Sequence, residues 1–283
     1  MKQMMRMLAV MKRELLRVIL FADYLVRGRK HFIIGQIQIG IGNRLIGLAN
    51  TYCRYGGSGI RLGWGLDEWM PVPFDELFVM SAAPGFKSRS FRVGRLSRSL
   101  YVPYPSGHAK TYWKFFWPGN RGDVDFLFER TPSAVWDRYA PFFAQLLPSD
   151  KVRRRLSEVK LPAGYVAVHV RNSLRKRDNK SVCSIERIVD MMRTYPEDQV
   201  FFVSCMERVF MERIRSAFGD RVMELPAKDY HSMVDAVADL WLLGHGRELV
   251  CSPESTFTEI AWWWGGDLNR PVRMLPVEYV QPA

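Results

Sequence analysis

Three stretches of this chain carry side chains whose type and spacing suit the handling of a phosphate. The first is Gly164-Tyr165-Val166-Ala167-Val168-His169-Val170-Arg171, an apolar run ending in a histidine and an arginine. A guanidinium placed there can donate two parallel hydrogen bonds to a phosphate. The second is Ser252-Pro253-Glu254-Ser255-Thr256-Phe257, directly ahead of a helical pattern. Hydroxyls and free backbone N–H groups at such a helix start can either cap the helix or meet an anion. The third is the turn Gly40-Ile41-Gly42-Asn43-Arg44, whose glycines permit close backbone approach. It is not a Walker loop, because no Gly-Lys-Ser/Thr follows, and Leu45 fills the place of the last glycine of GxGxxG. Each stretch also has a plainer reading: a strand running into a basic loop, a helix cap, a loop-to-helix turn.

The elements around them suggest how they are positioned. Tyr165 to Val170 is rich in β-branched residues, as a strand buried on both faces requires. From there the chain alternates strands and helices. Ser184–Tyr195 reads as a helix, Val200–Ser204 as a strand and Glu207–Phe218 as a helix. Val222–Glu224 reads as a short strand, Ser232–Leu243 as a helix, Glu248–Cys251 as a strand and Thr256–Trp264 as a helix, with a last strand near Val272–Leu275. Alternation of this kind builds a doubly wound parallel sheet, whose ligands bind beyond the carboxyl ends of the strands. Arg171, Ser204 and Ser255 all follow strands at that edge. In the other half, His31–Ile39, Arg44–Tyr55 and Ile60–Trp64 form a strand-helix-strand opening.

Between Asp67 and Pro148 the periodicity fails. Aromatics (Trp69, Phe74, Tyr104, Trp113, Trp117) alternate with basic residues at Lys87, Arg89, Arg92, Arg95 and Arg98. Such a surface could stack sugar rings or bases, although core packing accounts for most of the aromatics. Helices return at Ala134–Leu147 and Asp150–Val159, which sets three expected regions: 1–30, 31–150 and 151–283.

The net charge of +12 over 283 residues points to an anionic partner. Half of the excess lies in the first thirty residues, with eight basic side chains against Glu14 and Asp23. Met4, Met7, Leu8, Met11, Leu15, Val18 and Ile19 recur there at helical spacing. The segment therefore reads as a basic amphipathic helix over residues 1–27, which lies on an anionic membrane surface or packs on the domain with its charges in water. Basic residues interrupt it too often for the h-region of a signal peptide. The four cysteines, Cys53, Cys183, Cys205 and Cys251, form no CxxC pair, which argues against a zinc site and for reduced thiols. The expected location is cytoplasmic, with contact at the periphery of a membrane left open.

Taken in order, Gly40-Ile41-Gly42-Asn43-Arg44-Leu45, the strand ending His169-Val170-Arg171, and Ser252-Pro253-Glu254-Ser255-Thr256-Phe257 after a helix bearing Asp235 and Asp239 resemble the GDP-fucose-dependent fucosyltransferase superfamily. That group includes nodulation α1,6-, core, α1,2- and protein O-fucosyltransferases. The resemblance implies an α/β, GT-B-like fold: two Rossmann-like halves facing across a cleft, the C-terminal half a doubly wound parallel sheet that holds the nucleotide sugar. It covers the start of the N-terminal half and much of 164–264, and not 67–150.

Carried over by position, Arg171 would hold the donor β-phosphate and His169 would shape the base of that site. Ser255, Thr256 and Phe257 would meet the phosphates, and Gly40, Gly42, Asn43 and Arg44 would serve the sugar and acceptor, with Asn43 beside Arg171 in the catalytic set. Ser204, Asp235 and Asp178 complete the expected substrate contacts. Asp239, flanked by Leu240-Trp241-Leu242, is assigned to the polar side of its helix. Many members carry a second arginine after the first; here Asn172 stands there, with Arg175, Lys176 or Arg177 to supply charge, and the following acidic residue is Asp178.

The implied activity is inverting, metal-independent transfer of fucose from GDP-fucose to a glycan or glycoconjugate. No cofactor or metal is expected, and Glu254, Glu207 and Asp67 are candidate bases. Two alternatives stay open: a GT-B transferase using another nucleotide sugar, and a non-catalytic basic module binding nucleic acid or anionic membrane. Of these partners nucleic acid is not favoured.

Overall fold

The computed structural model describes residues 4, 7, 8, 11, 15, 31–34, 40–55, 59–81, 83, 85–92, 101–102, 131, 133–171, 181–251, 255–275 and 278–279. Two compact units divide the chain: Met1–Val124 with Asp137–Ser149, and Asp125–Trp136 with Asp150–Ala283. Among the described residues no helix is long and apolar enough to cross a membrane.

The first unit contains β1 (His31–Ile34), α1 (Ile41–Tyr55), β2 (Arg61–Leu66), α2 (Phe74–Leu77), β3 (Phe78–Met80), β4 (Lys87–Arg92) and β5 (Tyr101–Val102). Helix α3 (Ser133–Gln145) enters it after Trp136, and β6 (Leu146–Pro148) closes it. Its four-stranded sheet runs β4-β2-β1-β5, with β4, β2 and β1 parallel and β5 antiparallel to β1. A separate antiparallel ribbon pairs β3 with β6. Lys87, Arg89 and Arg92 of the basic cluster therefore lie on a strand that is at the sheet edge among the described residues. Lys87 and Arg89 project outward from β4 while Ser88 and Ser90 are half-buried. Charged side chains of this kind discourage edge-to-edge pairing with another sheet, a role that sequence periodicity did not suggest. Phe74, Trp64, Met70 and Phe78 form core. Arg95, Arg98, Tyr104, Trp113 and Trp117 lie outside the described residues.

The second unit contains α4 (Asp150–Ser157), β7 (Val166–Val170), β8 (Ser181–Val182), α5 (Ile185–Met192), β9 (Phe201–Cys205), α6 (Arg208–Phe218), β10 (Val222–Met223), α7 (Met233–His245), β11 (Glu248–Cys251), α8 (Thr256–Trp264), β12 (Val272–Met274) and β13 (Glu278–Tyr279). Five parallel strands run in the order β10-β9-β7-β11-β12. From β7 the chain steps outward to β9 and β10, then returns to the other side of β7 for β11 and β12. The order reverses between β7 and β11, which makes the ends of those strands the topological switch point of the sheet.

Alternation along β7 sorts its side chains by face. Val166, Val168 and Val170 join Ile185, Ile188, Val189 and Met192 of α5, and Met211 and Ile214 of α6, in one apolar cluster. Each such buried aliphatic side chain contributes roughly 1.5–3 kcal/mol. The α5 residues recur at spacings of three and one, and Ser184 caps that helix by accepting from the Arg187 N–H at 3.3 Å. His169 belongs to the other face, toward α7 and α8.

Helix α8 ends in Trp262-Trp263-Trp264, all buried, with Trp136 stacked on Trp263 at 5.0 Å. The close approach of α7 to the end of α8 depends on two glycines. A Cβ on Gly265 would lie 2.2 Å from the Gly244 carbonyl oxygen, and one on Gly244 would lie 2.8 Å from the Ala261 carbonyl. Both obstacles are backbone, so neither can swing aside. Arg270 secures the same corner by donating to the Leu243 and Gly244 carbonyls. Gly265→Ala is expected to destabilise the protein by about 3 kcal/mol, read as a lower urea midpoint with an unchanged slope.

Candidate active site

The carboxyl ends of three neighbouring strands stand level. His169 on β7 pairs in register with Ser204 on β9 and with Cys251 on β11. In a parallel sheet, residues in register share a face, so His169 and Ser204 both turn toward α7 and α8. The buried apolar run of β7 brings His169 to the sheet edge and releases Arg171, half-buried, immediately beyond it. The chain leaving β11 reaches Ser255, which caps α8 by accepting from the Thr258 N–H at 3.5 Å. The cap is therefore Ser255, with Thr258 at the third position of the helix.

Two buried polar contacts join these ends to the helices. His169 Nδ1 is hydrogen-bonded to Thr258 Oγ1 at 2.6 Å, and its ring stacks on Phe257 at 5.1 Å. Burial, and then the charges of Arg171 and Lys228, push the imidazole down to about 3, so it is neutral at physiological pH. The strand end bearing Arg171 is thus braced against the first turn of α8 by an uncharged ring.

A pH dependence follows. An unfolded histidine takes up a proton near pH 6.5, whereas folded His169 resists to about 3. Between those values the unfolded state binds the extra proton. This contribution is complete above pH 6.5 and is lost as the pH falls. About 2 kcal/mol is expected to go between pH 6.5 and about pH 5. Urea unfolding across that range should show a larger loss in wild type than in His169→Asn, where His245, whose pKa desolvation also lowers, still contributes.

The second contact corrects the placement of Asp239. It is buried, not on a polar helix face. Asp239 Oδ2 accepts from Ser204 Oγ at 2.6 Å and from Lys228 Nζ at 2.6 Å. Lys228 also donates to the Cys205 carbonyl at 3.3 Å. Burial works against the lysine charge, but the Asp239 carboxylate outweighs it and raises the Lys228 pKa above its ordinary value. Asp239 Oδ1 has no hydrogen-bond partner among the described residues.

Asp235, one turn earlier, stands in a different environment. Arg155 grips it with Nε at 2.7 Å and Nη2 at 3.1 Å, and the Asp229 N–H donates to it at 2.9 Å. Arg155 also donates to the Pro226 carbonyl. Asp235 therefore ties down the 226–229 loop that carries Lys228.

Thr256 and Phe257 are half-buried in the first turn of α8. Asp178, Asn172 and Arg175 to Arg177 lie outside the described residues, as do Ser252, Pro253 and Glu254. Sequence inspection passed over Lys228 and Thr258. Thr258 had a usable signal, its place three residues after a capping serine. Lys228 had none, because its partner Asp239 is eleven residues away in another element.

In the first unit, Gly40 is exposed ahead of α1, Gly42 is buried and Asn43 is half-buried in the first turn. Arg44, expected at a substrate, is committed to the interior of its own unit. It donates to the Gly65 carbonyl at 2.6 Å and to Asp67 Oδ2 at 2.9 Å, and lies over the Trp64 ring at 5.0 Å. Burial pulls its pKa down to about 10, with Asp67 opposing, so it remains charged at neutral pH. Asp67 Oδ1 accepts from the Trp69 and Met70 N–H groups at 2.8 and 2.9 Å. With both oxygens occupied and a cation beside it, Asp67 is unsuited to act as a base. Among the described residues no three or more His, Cys, Asp or Glu side chains converge as a metal site.

Architecture and switch point together define an α/β protein of the GT-B type. The solved structures that share this fold include POFUT1 in complex with GDP-fucose, which is 14% identical over 87% of this chain and 98% of that chain, with a TM-score of 0.51. POFUT1 in its apo form is 13% identical over 87% and 97%, with a TM-score of 0.50. NodZ α-1,6-fucosyltransferase soaked with GDP-fucose is 18% identical over 82% and 92%, with a TM-score of 0.49. No protein-family model and no curated protein matches the sequence. At these identities the likeness to POFUT1 shows the fold.

Proposed function

We infer that this protein is a glycosyltransferase that moves fucose from GDP-fucose to a glycan or glycoconjugate hydroxyl. The observation that carries the reading is the placement of Arg171 at the switch point, beside a helix start to which His169 and Thr258 bind its strand. The fold shared with POFUT1 in complex with GDP-fucose supports the choice of donor.

The mechanism follows from the charge that the reaction creates. The bond between the anomeric carbon and the β-phosphate oxygen breaks, and its electron pair leaves with GDP. The acceptor oxygen bonds to the anomeric carbon from the opposite face, which inverts it. Arg171 and the N–H groups at the start of α8 are aimed at the departing diphosphate, where fixed donors stabilise developing charge without a metal. Gly42 and Asn43 are assigned to the sugar and acceptor. The acceptor proton passes to a carboxylate, Glu207 or Glu254, or leaves with the diphosphate.

Thermal unfolding with GDP, UDP and ADP tests the donor. GDP at about a hundredfold its dissociation constant is expected to raise Tm by roughly 5 °C, equally with and without EDTA, and UDP and ADP by much less. Equal responses to the three nucleotides, or none, would overturn the guanosine donor.

A further inference from the structure

The N-terminal segment presents an apolar face that its own unit does not cover. Met4, Met7, Leu8, Met11 and Leu15 are helical, and each is between 55% and 61% exposed. Their spacings of three, one, three and four place them along one stripe of a helix. Exposed large apolar side chains are unremarkable singly, but five in one helical stripe form a surface for another apolar phase. The composition of the segment says which phase. Lys2, Arg6, Lys12, Arg13 and Arg17 stand against one acid, Glu14, within the first seventeen residues. A second copy would bring like charges together as it covered the stripe. An anionic lipid surface accepts both features, apolar side chains among the acyl chains and basic groups at the headgroups.

We propose that Met4, Met7, Leu8, Met11 and Leu15 dock this protein on an anionic lipid surface, with the basic residues of the same segment of sequence selecting negatively charged headgroups. The inference does not rest on the donor assignment, because lipid binding requires no nucleotide. A surface-bound enzyme would meet acceptors at the membrane plane.

Co-sedimentation of the full chain with phosphatidylcholine vesicles, with and without phosphatidylglycerol, provides the test. Binding at low salt is expected to be at least about tenfold tighter to the anionic vesicles, and to weaken as salt rises. Met7→Glu/Met11→Glu should lose at least about tenfold of that binding with Tm unchanged, since both side chains are exposed. Arg6→Glu/Arg13→Glu should keep the apolar stripe and lose the preference for anionic lipid. Equal binding to both vesicle types, or wild-type binding by either double variant, overturns the proposal. So does a wild-type dimer that binds no vesicles and that Met7→Glu/Met11→Glu converts to a monomer, because a second copy would then cover the stripe.

Discussion

Arg171→Ala is expected to lower kcat for fucosyl transfer by about a thousandfold while the protein stays folded. The fold should survive because Arg171 lies beyond β7, whose five residues are all buried. The activity should not, because in the proposed reaction the guanidinium would meet a diphosphate whose charge increases only as the glycosyl bond breaks. An interaction that strengthens toward the transition state appears in kcat more than in the affinity for GDP. Arg171→Lys keeps the charge and loses the two-pronged geometry, so it should fall between alanine and wild type. Steady-state kinetics with GDP-fucose, paired with the GDP thermal shift of each variant, separates the two contributions. Full turnover by the alanine variant would remove Arg171 from the mechanism.

The largest expected loss of stability belongs to Lys228→Met. The side chains of Lys228 and Asp239 are 4% and 3% exposed. Removing the ammonium leaves the Asp239 carboxylate buried, with Ser204 the remaining donor to it among the described residues. Breaking a buried pair from one side costs about 3–5 kcal/mol, whereas replacing both partners by apolar residues of similar size is often near neutral. The double variant Lys228→Met/Asp239→Leu should therefore recover most of the loss in urea unfolding. A single variant within about 1 kcal/mol of wild type would show that Asp239 takes up a proton at little cost. The Arg155–Asp235 pair gives a useful contrast, because it holds the loop bearing Lys228 without touching either partner.

Much of the second unit was legible from the chain alone. The β-branched run of β7, the apolar recurrences of α5 and α6, and the serines ahead of α5, α7 and α8 are local signals. Each depends on residues within a turn or a strand of one another, where side-chain periodicity and capping chemistry act directly. The same locality placed Arg171, Ser204 and Ser255 at strand ends before any strand order was known. The first unit was less legible. Strand β4 has the composition of a charged loop, because an edge strand needs few apolar residues.

The sequence by itself determined which residues end β7, β9 and β11 and begin the helix after β11, and so which side chains could meet a phosphate. Only the tertiary structure decided which of them meet one another. Asp239 rather than Asp235 reaches Ser204, Lys228 crosses from a loop to neutralise it, and Arg44 turns inward to Asp67. The physical reason is that these partners are eleven to thirty-five residues apart. They are brought together by closure of the sheet and burial of its helices, and no spacing along the chain encodes that closure.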